Sequence, residues 1–263
     1  MKHRKITSTL GLLALTAASS AAMATCDQIF AKWNNSYFTA AVGVADNGGY
    51  GLPMWLTAVD ETGKVCAIIN SAGSGAAIGN SSWLGSRVIS AQKANTVNAF
   101  SLNGFSISTS NLYGLTQPGG SLFGLQESNP VDATIAYLGL AANFGTGTSD
   151  PLAGKRIGGI NVFGGGLALY SAGTKIGAIG VSGDTSCTDH AVAWRLRNLM
   201  GLDSVPGGFV SGSGLTPFAP IKGDEMIIKL SGSVANTYYQ PSCAHNAILN
   251  PTQGAATGTI ILP

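Results

Sequence analysis

Four cysteines, Cys26, Cys66, Cys187 and Cys243, constrain this chain more than any other feature it carries. Residues 1–24, ahead of them, read as a secretory signal peptide. Lys2, Arg4 and Lys5 form its positive start, Leu10 to Ala18 its apolar stretch, and Ala22-Met23-Ala24 its small-x-small cleavage pattern. The apolar stretch is shorter than the about 20 residues a membrane helix needs, and no later run reaches that length. An even number of cysteines in an oxidising compartment favours two disulfides. Three pairings are open. Cys26–Cys66 with Cys187–Cys243 is preferred, because each bond would pin a terminal segment to the central body. Each would close a loop for which chain entropy allows roughly 3–4 kcal/mol before strain.

Removing the leader also settles the charge argument. The chain has 14 basic and 12 acidic residues, and three of the basic ones lie in the leader, which leaves 11 against 12. Nucleic-acid binding needs a clustered basic surface, and none is visible. The expectation is an exported protein, periplasmic or extracellular, with no transmembrane span in its mature chain and no nucleic-acid partner.

The mature 239 residues suit one domain carrying an insertion and an extension. Charged residues make up only 10% of the chain and 37 residues are glycine, which points to many turns rather than long helices. A first helix is expected from Asp27 to about Ala45. Met54–Val59 and Lys64–Asn70 read as a hairpin turned by Asp60-Glu61-Thr62-Gly63. Ser86 to Phe100 reads as a helix with Val88, Ala91, Ala94 or Asn95, and Ala99 on its buried face. Ile160–Phe163, Leu167–Ser171 and Lys175–Val181 read as three short strands. Thr188 or Asp189 is expected to cap a last helix that runs to about Met200. That order describes an α+β domain with an antiparallel sheet.

Several strings then resemble one family. They are Leu56-Thr57-Ala58-Val59-Asp60-Glu61-Thr62-Gly63-Lys64-Val65, the helix carrying Ala91-Gln92-Lys93-Ala94, and Pro118-Gly119-Gly120-Ser121-Leu122-Phe123-Gly124-Leu125-Gln126. The strongest runs from Gly164-Gly165-Gly166-Leu167 through Ile176-Gly177-Ala178-Ile179-Gly180-Val181-Ser182-Gly183 to Asp189. In this order and spacing the chain, over roughly residues 27–200, resembles the GlcG/HbpS-like family of extracellular haem-binding and haem-degrading proteins. The resemblance implies a profilin-like α/β/α domain around a five-stranded antiparallel sheet, assembly into homo-oligomers, and haem or another tetrapyrrole as ligand. The expected domain covers residues 25–202. Residues 131–158 depart from the pattern as an insertion, and residues 203–263 as a C-terminal extension with a strand candidate at Glu225 to Leu230.

Candidate ligands follow from the donor chemistry. His190 lies about one helical turn after Cys187, and His245 two residues after Cys243. A Cys187–Cys243 bond would hold the two Cα atoms within about 6 Å and draw both imidazoles toward one haem iron or metal ion. The competing reading is a clasp flanked by incidental surface histidines. A zinc site built from all four residues would need reduced thiols. Tyr113, Tyr238 and Tyr239 are alternative oxygen ligands. Lys93 is a candidate point charge for a propionate, with Arg87 a weaker one, and a solvated helix face is the competing reading for Lys93. First-turn amides after Gly177–Gly183 could hold an anion, although tight packing explains these glycines better. Asp60-Glu61 and Asp224-Glu225 read as solvated turns. No Gly-x-Ser-x-Gly elbow or Cys-x-x-Cys-His string is present, and no catalytic set is recognisable. The reading is a haem-binding protein for haem capture or iron supply. Its alternatives are an oxidative haem-degrading enzyme and a cofactor-free extracellular assembly or sensory partner.

Overall fold

Asp60 turns the first hairpin. Its Oδ1 accepts hydrogen bonds from the Thr62 and Lys64 amides at 2.9 and 3.1 Å, while Gly63 takes the left-handed conformation at φ +77°. The carboxylate is 2% exposed, so it is a buried turn-former rather than the solvated group expected from sequence. The computed structural model describes residues 25–208, 223–229, 238–244 and 259–262; the leader lies outside them.

Two helices, α1 (Cys26–Phe30) and α2 (Asn35–Val42), precede strands β1 (Trp55–Asp60) and β2 (Val65–Asn70). Helix α3 (Gly85–Phe100) follows, then three one-turn helices, α4 (Tyr113–Thr116), α5 (Leu125–Ser128) and α6 (Ala133–Ala136). Strands β3 (Thr146–Gly147), β4 (Gly166–Ser171) and β5 (Thr174–Ser182) lead into α7 (Ser186–Leu199). The extension contributes β6 (Met226–Lys229), β7 (Tyr239–Pro241) and β8 (Thr259–Leu262). The main sheet has five strands in the order β3-β2-β1-β5-β4, all antiparallel.

Every residue of β1 and β2 is buried, so both faces of the sheet are covered. On one face Trp55, Val59, Ile68 and Ala178 pack against Val88, Ala91, Ala94 and Val97 of α3. On the other, Leu56, Ala58, Ile179 and Val181 pack against Phe38 and Ala41 of α2 and Val192, Ala193 and Leu196 of α7. This is the profilin-like α/β/α arrangement. Helix α3 approaches closely at Gly180, where an added Cβ would stand 2.0 Å from the Ser90 carbonyl oxygen and 2.6 Å from the Ala94 nitrogen.

The expected first helix is broken. Helix α1 stops at Phe30, and Asn34, in an extended conformation, accepts the Ser36 amide at 2.9 Å and caps α2. Ala99 is exposed, since the buried face of α3 advances to Val97 and Asn98 in its last turn. Ile160 and Val162 are buried against Ile107, Leu112 and Leu115 but join no strand ladder. Thr185 caps α7 by accepting the Thr188 amide at 3.2 Å, so Thr188 and Asp189 lie inside the first turn.

Residues 131–158 complete the layer over α3. Ala136, Phe144, Leu152 and Ile157 join the α3 core, and β3 extends the sheet beyond Ile68 and Ile69. Arg87, 0% exposed, forms a two-pronged pair with Asp150 and lies over the Phe144 ring at 3.9 Å. Its guanidinium is therefore used internally. The extension is tied down in the same manner. Arg197 of α7 meets Asp224 at 2.5 and 3.1 Å, both residues being at most 1% exposed. Asp224 is thus buried rather than solvated because α7 supplies the countercharge, and Glu225, also buried, accepts the Gly223 amide at 3.1 Å.

Candidate functional site

The first turns of α7 gather most of the candidate groups. Cys187 and Cys243 are bonded, with sulfurs 2.02 Å apart, and Cys26 and Cys66 are bonded at 2.05 Å. His190 lies on the turn after Cys187 and is fully buried, and neither ring nitrogen has a hydrogen-bond partner. Its ring stacks on Trp194 at 6.1 Å. Burial first, then the Arg197 and Lys93 charges, push its pKa down to about 3, so the imidazole is neutral. A Cβ added at Gly164 would stand 2.0 Å from Met226 Cε and 3.1 Å from His190 Cβ, so the extension closes over this part of α7. His245 lies outside the described residues. Cys187, His190 and Cys243 do not gather into a three-ligand cluster. Among the described residues the one such group is Cys26, Asp60 and Cys66, whose sulfurs are bonded to each other.

Lys93 points inward rather than to solvent. Its Nζ donates to Asp189 Oδ2 at 2.6 Å and to the Val181 carbonyl at 3.0 Å, and the residue is 1% exposed. Burial pulls the lysine pKa down and raises that of Asp189 to about 6, and their mutual attraction opposes both shifts. The amides entering α7 are likewise taken. Asp184 nitrogen donates to Asp189 Oδ1 and Thr185 nitrogen to Asp184 Oδ1, so the chain's own carboxylates fill the expected anion position.

Two recesses lie among the described residues. Tyr113, half-buried, packs edge-on against Tyr239 and tilted against Phe163, each at 6.3 Å. These neighbours lead into a recess of about 300 Å³ shared by Tyr113, Phe163, Ser186, Gln240 and Cys243. Tyr238 and Tyr239 are half-buried beside it. The second is a groove of about 500 Å³ between α2 and α7, walled by Ala40, Ala41, Val44, Trp194 and Leu199 with Arg195 at its edge. Arg195 Nε donates to Asn47 Oδ1 at 3.0 Å. Sequence reasoning missed this groove, because it exists only where two helices from opposite ends of the domain lie side by side. The small residues Ala40 and Ala41 facing a Trp-Arg pair were its only trace.

With this architecture in place, the class is a three-layer α/β/α domain whose glycine-rich loop and last helix enclose buried polar groups. The chain belongs to the HbpS-like family, described as haem degrading protein HbpS-like, whose pattern it matches over residues 35–196. Among solved structures, the Klebsiella pneumoniae protein ORFY, of the DUF336 family, is 21% identical. The alignment covers 72% of this chain and 98% of that one, with a TM-score of 0.44. A PduOC–heme complex is also 21% identical, over 63% and 91% of the two chains, with a TM-score of 0.39. No curated protein matches the chain. Among the described residues no helix is long and apolar enough to cross a membrane.

Proposed function

We propose that this chain is an exported haem-binding protein that captures haem, or a related tetrapyrrole, for iron supply. The observation that carries the reading is the family match over residues 35–196, a span that holds α2, the sheet and most of α7. Export is supported by the leader-like residues 1–24 and by two bonded cysteine pairs. Intact mass measurement of secreted material should find Thr25 as the first residue; retention of Met1 in the cell would oppose export.

A haem site needs an apolar slot, a cation for the propionates and an axial ligand. The α2–α7 groove has the apolar walls, a volume within the about 300–1,000 Å³ range of ligand sites, and Arg195 at its edge. The Tyr113 recess is smaller and has no lysine or arginine among its lining residues. His190 is the described imidazole best suited to iron, being neutral and unpartnered. It stacks on Trp194, which also walls the groove, and is itself fully buried. The groove thus offers a macrocycle apolar walls and one guanidinium, while His190 lies buried outside its lining. Bound haem would supply the redox-active iron; the chain's residues hold the macrocycle and its carboxylates. Titration with hemin should give a saturable Soret shift above that of a nonspecific control protein. No such shift with both disulfides intact would sink the proposal.

The family's haem-degrading description favours a second reading, oxidative degradation. It requires the haem complex, given a reductant and oxygen, to bleach and release iron faster than free hemin. Equal rates would leave a carrier.

A further inference from the structure

The two disulfides sit in opposite chemical surroundings. At Cys26–Cys66 the atoms against sulfur are acceptors: Asp60 Oδ2, itself paired with Lys64 Nζ at 3.3 Å, lies 3.8 Å from Cys26 Sγ, and the Lys64 carbonyl oxygen 3.7 Å from Cys66 Sγ. At Cys187–Cys243 they are donors. Cys243 Sγ accepts the Cys187 amide at 3.1 Å and lies 3.4 Å from Ser186 Oγ and 3.6 Å from Gln240 Nε2. Exchange puts negative charge on sulfur, so a carboxylate beside the bond opposes it and N–H and O–H donors favour it. Access divides the two sulfurs of the second bond as well. Cys187 is 0% exposed, whereas Cys243 is half-buried and opens onto the Tyr113 recess of about 300 Å³.

We propose that Cys187–Cys243 is a thiol-exchange site that takes small-molecule thiols at Cys243, while Cys26–Cys66 is a structural bond. A thiolate RS⁻ attacks Cys243 Sγ; the RS–Sγ bond forms, the Sγ–Sγ bond breaks, and Cys187 leaves as a thiolate with the bonding electron pair. That thiolate forms with Gln240 Nε2, an N–H donor, 3.7 Å from Cys187 Sγ. A second RS⁻ attacks the sulfur of the adduct, which forms RSSR and releases Cys243 as a thiolate. Two thiols are thereby oxidised to one disulfide and the protein cystine is reduced by two electrons. The protons given up by the thiols return to the two cysteines through solvent. The step removes the covalent tie between α7 and the residues after β7, leaving Gln240 of β7 held by Gly164 nitrogen at 2.7 Å and Ser186 Oγ at 2.8 Å.

The test uses the native, fully oxidised protein and glutathione as the probe thiol. Aliquots are trapped with an alkylating reagent over time and mapped by peptide mass spectrometry. Cys187–Cys243 should open at least about tenfold faster than Cys26–Cys66, with the first glutathione adduct on Cys243. Equal opening rates, faster opening of Cys26–Cys66, or a first adduct on Cys187 would overturn the proposal. The result does not depend on haem binding, so it can fail or succeed apart from the functional reading.

Discussion

Lys93 on α3 and Asp189 on α7 meet 2.6 Å apart beneath Gly165, joining the two helical layers across the end of the sheet. Both are almost fully buried, so the attraction offsets two large desolvation costs and contributes little net stability. Removing one partner is different, because the other is left charged without a countercharge. Lys93→Met should destabilise the protein by about 3–5 kcal/mol in urea unfolding, and Lys93→Met with Asp189→Leu by clearly less. Equal losses in the single and double variants would show that the pair is not coupled.

The pH dependence near this cluster has two opposing parts. His190 has its pKa lowered from 6.5 to about 3, so only the unfolded chain takes up this proton as pH falls through that window. Its contribution to stability is present above 6.5 and is lost toward 3, by at most about 1.4 kcal/mol per pH unit. Asp189 has its pKa raised from 3.8 to about 6, so its contribution is present below 3.8 and is lost as pH rises through 6. His190→Leu removes the first slope and leaves the second. Its stability relative to the parent should therefore improve steadily as urea unfolding is moved from about pH 7 to about pH 4. Parallel profiles would place His190 in solvent contact.

Close packing at Gly180 gives a sharper test of the fold. A methyl group there would collide with the α3 backbone, so Gly180→Ala should cost about 1–3 kcal/mol or more. Gly104 has nothing within 4 Å of an added Cβ and serves as control, with an expected change within about 0.5 kcal/mol. Thermal unfolding of both variants reads the difference.

The hairpin, α3 and the β4–β5 pair were legible because their signals are local. Apolar runs flank Asp60–Gly63, and Val88, Ala91 and Ala94 repeat with helical spacing. The motif order then supplied the five-stranded sheet. What stayed hidden depends on partners distant in sequence. Arg87 looked like a weak ligand until Asp150, 63 residues on, proved to be its countercharge. Asp224 looked solvated until Arg197 was found against it, and Lys93 looked free until Asp189 was. A charged residue in sequence shows only that a partner or water is needed; three dimensions decide which. His190 was picked out for its chemistry, but its burial involves residues distant in sequence, Gly164 and Met226, that lie against this part of α7.

That tail should depend on Arg197. Arg197→Met leaves Asp224 buried and unpaired, which costs about 3–5 kcal/mol where the extension docks. Limited proteolysis should then cut the extension from the domain, with the fragment held on Cys187–Cys243 until the bond is reduced. Protection equal to that of the parent protein would mean that the pair does not anchor it.

The proposed function requires haem to occupy the α2–α7 groove. The direct measurement is a hemin titration of the oxidised protein beside Ala40→Trp, which fills the groove from an exposed position. The parent chain should show a saturable Soret shift, and Ala40→Trp should weaken it by at least about tenfold with its unfolding curve unchanged. An identical shift in both proteins, or none in the parent, would contradict the account.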